Sequence, residues 1–367
     1  MRPDVPSLPG LLTAAQVADT AATIAAVQEP SGAIPWFTGG HVDPWDHIEC
    51  AMALTAAGRI EEARRAYAWL HSTQRANGSW PARVRAGVVE DAGGETNQCG
   101  YLAVGLWHYR QVTGDEALVR QLWPTLRRAV DYVVDLQGPG GEIGWRRDEA
   151  GDPVSDALLT GCSSLHQSLR AAVAVSRLVG EERPDWELAA GLLAHTVAEH
   201  PEAFLDKSLF SMDWYYPVLG GVVRGPAGRA RIDGRWSEFV YPDLGARCVA
   251  DRPWVTGAET CELALAVDAL GQADRARDLL ASMQHLRADD GSYWTGYVVD
   301  NDVRWPAEQS TWTAAAVILA VDALSGTTPG SGVFRANDLP EPIRIESDSC
   351  GCSRRSADAV GNPAEHP

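Results

Sequence analysis

The sequence predicts an all-α protein, an (α/α)6 toroid or six-hairpin barrel with a flexible C-terminal tail. The first observation behind this prediction is a pattern that recurs at a spacing of roughly 50–60 residues. In each copy a helical stretch ends at Gln, a Gly-containing turn follows, and Trp comes next. The copies start at Gln28, Gln74, Gln137 and Gln284. Such repeats indicate helical pairs that stack on their neighbours to form a shared core.

The second observation is an alternation between two kinds of helical stretch. Stretches rich in small and apolar residues are typical of buried inner helices, which we expect to start near Pro44, Glu95, Asp156, Asp213, Ala258 and Ala307. Stretches with alternating charges are typical of solvated outer helices, here Leu12–Gln28, Glu61–Gln74, Glu116–Gln137, Pro184–His195 and Ala273–Gln284. A Gly/Arg-rich segment between Asp206 and Arg252 leaves its helices undefined. We therefore predict a toroid over residues 1–335 and an extended or disordered tail over residues 336–367.

The first inner helix has the clearest start signal. Asp43 precedes Pro44, and Asp is a favoured N-cap residue while Pro suits the first helical position. Asp46 and Glu49 then lie on one face of the first two turns, ahead of the alanine-rich residues 51–57. Because carboxylates are stabilised at a helix N-terminus, capping alone can explain Asp43 and Asp46. Whether these two residues also have a functional role depends on whether neighbouring helices bring similar side chains to the same place.

Composition and charge limit the possible partners. A net charge of −18 argues against a nucleic acid or an acidic membrane surface as partner. The chain has no run of 18 apolar residues, and no apolar signal region at its N-terminus, so we expect a cytoplasmic protein. Buried free thiols are expected at Cys50, Cys99, Cys162 and Cys261. Cys350 and Cys352 lack a second pair of ligands, so they predict no zinc site.

The predicted ring gathers the first turns of the six inner helices at one mouth. Five of these six turns carry an acid, and most also carry an amide or aromatic side chain. The 14 Trp residues, against 5 Phe, include several in predicted loops, where flat rings suit sugars. The candidate ligand-binding residues are Asp43, Trp45, Glu95, Asn97, Gln98, His166, Asp213, Trp214, Trp254, Glu262, Trp305 and Glu308.

Hydrolysis of a glycosidic bond needs this kind of set. One carboxylic acid protonates the leaving oxygen, and one carboxylate activates water or attacks the sugar. Glu259 is the preferred general acid, because partial desolvation beside an apolar helix would keep it protonated near neutral pH. Asp46 is the preferred general base, and Glu262 could tune Glu259 or be a satisfied buried acid. Asp213 and Glu308 are reserve candidates.

Other chemistries match the sequence less well. Terpene cyclases of helical toroid type need an Asp-x-Asp-Asp motif, which is missing, and the acids at 300–302 are too few. A zinc site would need a His beside Asp243 and Cys248, and none is suitably placed. Phosphate-binding and dinucleotide-binding glycine motifs are also missing, so we predict no metal and no cofactor. A sugar-binding toroid without activity, or one acting on an isoprenoid, remains an alternative.

Two levels of resemblance agree with the hydrolase hypothesis. The Gln, Gly and Trp repeats resemble those of the prenyltransferase/squalene-cyclase type of α/α toroid. More narrowly, residues 43–49, 95–98 and 254–260 are similar to the actinobacterial methylmannose polysaccharide hydrolases. That resemblance implies endo-hydrolysis of α-1,4-linked mannose chains that carry methyl groups. It also implies an acid and a base from the first and fifth inner helices, at Asp46 and Glu259.

Overall fold

Outer and inner helices alternate around a closed ring within residues 4–345, which the computed structural model describes. The outer helices are α1 (Ala14–Val27), α3 (Ile60–Thr73), α6 (Glu116–Val134), α8 (Pro184–Glu199), α10 (Gly225–Phe239) and α12 (Ala273–Ser282). The inner helices are α2 (Pro44–Ala56), α4 (Thr96–Gly100) continued by α5 (Leu102–Thr113), α7 (Leu159–Val179), α9 (Ser211–Leu219), α11 (Gly257–Ala269) and α13 (Thr311–Ser325). The ring closes because α13 packs against both α1 and α2. This arrangement confirms the predicted (α/α)6 toroid.

The inner and outer helices differ in how much of their surface is buried, as their composition predicts. The inner helices α11 and α13 are buried on almost every face, as expected for helices that are apolar all round. The outer helix α6 instead buries one stripe and leaves charged residues on its opposite face. Within residues 4–345, no helix is both long enough and apolar enough to cross a membrane.

In three of the four copies, the Gln of the repeat connects its own turn to the next outer helix. The Gln28 amide donates to the carbonyl of Gly32 in its own turn (3.0 Å) and to that of Glu62 in α3 (2.9 Å). Gln74 does the same with Gly78 and with Thr125 of α6, both at 2.8 Å. The third copy, Gln137, bonds its own turn and α8 in the same way. The repeat is therefore a device that sets the spacing between neighbouring helical pairs.

The Gly of the repeat is required by the close approach of that neighbour. Gly78 has a φ of +93°, and a Cβ there would lie 2.1 Å from the backbone oxygen of Arg128. In the fourth copy Gly291 packs against the backbone of α1, and its carbonyl accepts from Thr20 Oγ1 at 2.8 Å. Because this last turn meets the first helix, the repeat also closes the ring. Gln284 differs from the other copies and donates to the carbonyl of Leu280 in the preceding helix α12.

Three small antiparallel sheets, for which the sequence gives no prediction, occupy the mouth. Their strands are β1 (His41–Val42), β2 (Arg83–Arg85) and β3 (Val88–Asp91); β4 (Gly94–Glu95), β5 (Gly144–Arg147) and β6 (Pro153–Ala157); and β7 (Val240–Tyr241), β8 (Gly245–Arg247), β9 (Trp254–Thr256), β10 (Gly296–Val298) and β11 (Val303–Arg304). Four of these strands, β1, β4, β6 and β9, run directly into inner helices. The sheets therefore orient the first turns that build the candidate site.

The segment between Asp206 and Arg252 contains α9, α10 and two strands. Its helix α10 had no clear sequence signal because Gly and Arg dominate it. Tertiary contacts hold it in place: Arg231 donates to the carbonyls of Asp213 and Trp214, and accepts from the Trp214 indole at 2.8 Å. The third and sixth inner helices begin later than predicted, at Leu159 and Thr311, because strand β6 and a β-bridge at Gln309 precede them.

A C-terminal segment, residues 327–345, covers the end of the ring opposite the mouth. It contacts inner helices near the ends at which they finish, for example through Arg335 and Asp268. The predicted tail at 336–367 begins inside this segment, where Ala336 and Leu339 are buried. Residues from 346 onward, including Cys350 and Cys352, lie outside the described part of the chain.

Arg170 should be the main anchor of this segment. Its buried guanidinium donates to the backbone carbonyls of Pro340 (2.8 Å), Leu339 (3.1 Å) and Ala336 (3.2 Å). We expect Arg170→Ala to lower the free energy of unfolding by about 3 kcal/mol, because hydrogen bonds from a charged group are lost and buried carbonyls are left unpaired. Denaturant unfolding at neutral pH measures this. Arg177→Ala on the same helix is the control, since its exposed pair with Glu187 contributes under about 1 kcal/mol. Equal effects in both variants would contradict the anchoring role.

Candidate active site

A cavity of about 560 Å³ opens at the mouth of the toroid. The first turns of α2 and α4 form much of its wall, together with the sheet of β1, β2 and β3. Its lining is rich in acids, amides and aromatic rings, and includes the apolar Ala82 and Met212. The lining residues are His41, Asp43, Trp45, Asp46, Ala82, Arg83, Glu90, Asp91, Glu95, Asn97, Gln98, Thr160, Met212 and Trp312.

Asp43 and Asp46 meet at the start of α2. Asp43 is the N-cap, and its Oδ1 accepts from the backbone N–H of Asp46 at 2.9 Å. Burial raises the pKa of Asp46 well above its usual value, and the charge of Asp43 and a hydrogen bond between the two carboxyl groups raise it further. Since two adjacent carboxylates resist ionising together, the proximity of Asp43 favours the protonated form of Asp46.

Two buried acids lie one helical turn below the cavity and form its acidic floor, Glu49 and Glu262. Glu49 accepts from Trp312 Nε1 at 2.8 Å and from the Tyr101 hydroxyl at 3.0 Å. Burial raises the pKa of Glu49 to about 7, although these hydrogen bonds oppose the shift.

Glu262, on α11, completes the acidic floor. It accepts from the hydroxyls of Tyr215 and Tyr216, the latter at 2.6 Å. Burial, and next the charge of Glu49, raise the pKa of Glu262 well above its usual value. Glu262 also acts on Asp46 through space. The acids on α2 and α11 therefore lie close enough to interact electrostatically.

Glu259 lies one turn above Glu262, in the first turn of α11, and is 5% exposed. It is not part of the cavity lining. Its carboxylate is hydrogen-bonded to the thiol of Cys248, and burial together with that negative charge raises the pKa of the thiol. Helix α13 packs against both α2 and α11, so Asp46 and Glu259 stand on walls separated by one inner helix.

The second inner helix supplies a further acid and two amides, Glu95, Asn97 and Gln98. All three line the cavity, as predicted for ligand-binding residues. Burial raises the pKa of Glu95 to about 7, and the charge of Asp43 adds to the shift. The side-chain oxygen of Gln98 is buried and has no hydrogen-bond partner among residues 4–345. Since buried polar atoms are almost always paired, this oxygen is suited to accept from a ligand hydroxyl.

The predicted residues of the third and fourth helices separate into two groups. Asp213 does not line the cavity itself, but its Oδ1 accepts from the hydroxyl of the lining residue Thr160 at 2.6 Å. His166 and Trp214 do not line the cavity. His166 bonds the carbonyl of Gly220 through Nδ1, and burial lowers its pKa to about 4. The Trp214 ring is buried and stacked on Phe239, so it belongs to the core.

The predicted residues before the fifth and sixth helices do not line this cavity. Trp254 and Trp305 pack edge to face at 5.1 Å, with Trp305 about half exposed at 54%. Glu308 lines a separate cavity and accepts from Trp36 Nε1 at 2.7 Å. These three side chains therefore border the mouth and do not share the cavity of Asp46.

Several cavity residues were missed by sequence reasoning. His41, Arg83, Glu90 and Asp91 come from the unpredicted sheet. Trp312, which the start of the sixth inner helix predicts at the mouth, lies in the first turn of α13 and lines the cavity. Trp45, which was predicted, stacks flat on Tyr101 with ring centroids 4.3 Å apart. Within residues 4–345 no group of three or more His, Cys, Asp or Glu side chains is arranged to hold a metal ion.

Solved structures share the fold at low sequence identity. A wild-type glycosidase has a TM-score of 0.64 at 14% identity, over 86% of this chain and 97% of its own. A bacterial glucoamylase complexed with acarbose has a TM-score of 0.67 at 13% identity, over 87% of this chain and 57% of its own. A D-mannose isomerase has a TM-score of 0.61 at 12% identity, over 86% and 99% of the two chains. These likenesses confirm the toroid, but a fold shared with an isomerase does not decide the reaction.

Sequence similarity identifies the family. No model of a protein family matches the sequence. The MMP endo-(1,4)-3-O-methyl-alpha-D-mannosidase of Mycolicibacterium hassiacum is 57% identical over 349 residues, which span 95% of this chain and 97% of that protein. This match confirms the resemblance to the methylmannose polysaccharide hydrolases. The chain belongs to the glycoside hydrolase family of that endo-mannosidase.

Proposed function

We propose that this enzyme cleaves internal α-1,4-mannosidic bonds of a methylated mannose polysaccharide by acid and base catalysis, with Asp46 and Glu259 as the two carboxyl groups. The observation that carries the site assignment is the environment of Asp46. Its carboxyl lines the cavity, is buried, and faces the charges of Asp43, Glu49 and Glu262. Such surroundings favour the protonated form of a carboxyl group, which is the form that a general acid needs.

The environment of Asp46 supports an exchange of the two catalytic roles assumed from the sequence. Asp46 donates its proton to the glycosidic oxygen as the bond between this oxygen and the anomeric carbon breaks. Glu259, from the wall formed by α11, takes a proton from the water whose oxygen attacks that carbon. An acid and a base on different walls leave room for this water, which inversion of the anomeric centre requires. Proton exchange with solvent then restores both carboxyl groups.

The cavity lining supports binding of a methylated sugar. The amides of Asn97 and Gln98 are suited to hydroxyl groups, and the Trp45 ring offers an aromatic surface. Ala82 and Met212 add apolar surface, which O-methyl groups require. An isoprenoid substrate would instead need a dry apolar cavity, and the acids of this lining argue against one.

The proposed setting is the cytoplasm, with the polysaccharide as the partner and with no nucleic acid or membrane involved. The five cysteines within the described residues are free thiols, namely Cys50, Cys99, Cys162, Cys248 and Cys261. Reducing compartments maintain this state.

A substrate panel tests the proposed reaction. The protein is incubated with α-1,4-linked 3-O-methylmannose oligosaccharides, unmethylated α-mannan oligosaccharides and α-glucan oligosaccharides, and the products are followed by mass spectrometry. We expect internal fragments from the methylated mannose chains, and much slower or no cleavage of the others. Release of single terminal sugars would contradict endo-cleavage. Binding of the methylated chains without turnover over long incubation would instead support a non-catalytic sugar-binding toroid.

A further inference from the structure

A second cavity, of about 510 Å³, lies between α1 and the start of α13. It combines two aromatic residues, Phe37 and Trp294, with acids, an amide and several hydroxyl groups. Its size is close to that of the first cavity, yet it contains neither Asp46 nor Glu259. The lining residues are Thr23, Ala26, Val27, Phe37, Thr38, Asp290, Ser292, Trp294, Ala307, Glu308, Gln309, Ser310, Thr311 and Ala314.

One indole ring divides the two cavities. Trp36 stacks on His41, with ring centroids 5.7 Å apart, and tilts against Trp312 at 5.6 Å. Both partners line the first cavity. On the other side, the Trp36 indole donates to Glu308, which lines the second cavity. A chain molecule that leaves the first cavity past His41 therefore reaches the second one after crossing a single side chain.

The polar lining of the second cavity favours a neutral ligand rich in hydroxyl groups. The residues that line it include Asp290 and Glu308 but no Lys, Arg or His, so it does not suit a phosphate or another anion. Hydrogen bonds from Ser292 hold the pKa of Asp290 below its usual value, which keeps this carboxylate ready to accept. The Gln309 side chain has no hydrogen bond to any residue within 4–345 and can both donate and accept.

The aromatic residues complete this pattern. Phe37 and Trp294 are both half-buried, and each leaves part of its ring exposed. Aromatic rings next to amides and carboxylates form surfaces that have an apolar face and a polar edge. Sugar rings match such surfaces, because their C–H faces are apolar and their edges carry hydroxyl groups.

We propose that the second cavity is a saccharide-binding site that holds sugar residues of the same polysaccharide at a distance from the bond being cleaved. This inference rests on the proposed function, because an endo-acting enzyme binds chain on both sides of the cleavage point. The site selects for long chains: a short oligosaccharide fills the first cavity alone, whereas a long one engages both cavities.

Chain-length dependence tests this site. The variants Phe37→Ala and Gln309→Ala are assayed with a tetrasaccharide and a dodecasaccharide of α-1,4-linked 3-O-methylmannose. We expect KM for the dodecasaccharide to rise about tenfold, a loss of about 1.4 kcal/mol, while kcat and all values for the tetrasaccharide stay unchanged. A merely structural role would change the values for both substrates. Leu188→Ala, an exposed apolar truncation on α8, is the control and should change neither.

Binding measurements separate this proposal from the proposed reaction. Calorimetry with the Asp46→Asn protein, which we expect to be inactive, should show tighter binding of the dodecasaccharide than of the tetrasaccharide. Adding Phe37→Ala or Gln309→Ala should remove that difference. Equal affinity for the two lengths in the Asp46→Asn parent, or an unchanged difference in the double variants, would overturn the second site while leaving hydrolysis intact. Failure of the wild-type protein to cleave either saccharide would overturn the proposed reaction.

Discussion

Replacing Asp46 by Asn should lower kcat/KM by about a thousandfold or more, because the glycosidic oxygen then leaves without a proton donor. Asn fills the same space and keeps the backbone bond to Asp43. The loss should therefore be catalytic and should leave the unfolding midpoint close to that of the wild-type protein. Steady-state hydrolysis of a methylated mannose oligosaccharide, followed by product mass spectrometry, measures the effect.

Glu259→Gln should cause a loss of similar size, because no carboxylate then activates the attacking water. The reserve acid Asp213 provides a comparison for both variants, because its carboxylate already accepts a hydrogen bond from Thr160. We expect Asp213→Asn to retain much more activity than either variant. Asp278→Asn, on the exposed surface of α12, is the control and should match the wild type. Near-normal turnover by Asp46→Asn or Glu259→Gln would contradict the assignment of that residue.

The helical part of the fold could be predicted because its signals are local. An Asp-Pro start at α2, a Pro start at α8 and the Gln and Gly pair of each turn all act within a few residues of the chain. The strands at the mouth could not be predicted, because each is only two to five residues long. In addition, β1, β4 and β9 pair with strands that lie beyond a long intervening segment, as His41 does with Arg85. Helix α10 is a similar case, held by Arg231 and its contacts with α9.

The candidate site was predictable to the extent that helix starts bring side chains to one mouth. Asp46, Glu95 and Gln98 follow this rule and line the cavity. His166 and Trp214 do not, because the turn of the helix directs them into the core, and a start position alone does not set that direction. The proposed division of roles between the acids could not be predicted from the sequence, because it depends on the charges that surround each carboxyl group in the folded protein.

The second large effect concerns Glu49 of the acidic floor, which makes the free energy of unfolding depend on pH. Glu49 has a pKa of about 7 in the folded protein, against 4.5 for an ordinary glutamate. Between these values the folded chain holds a proton that the unfolded chain releases. The stability contributed by this group is therefore complete below the unfolded pKa and is lost as pH rises through about 7. The loss amounts to about 3 kcal/mol for this one group.

Glu49→Gln should remove that loss, because a neutral amide does not titrate. We expect the fall in unfolding free energy between about pH 5 and pH 8 to shrink by about 3 kcal/mol relative to the wild type. The charge of Glu49 raises the pKa of Asp46. Removing this charge should therefore shift the alkaline limb of the pH–activity profile to lower pH. Denaturant unfolding and kcat/KM over that range measure both effects, with the exposed Glu61→Gln as control. A purely structural role for Glu49 would shift stability equally at every pH and leave the activity limb in place, because lost packing does not depend on proton uptake.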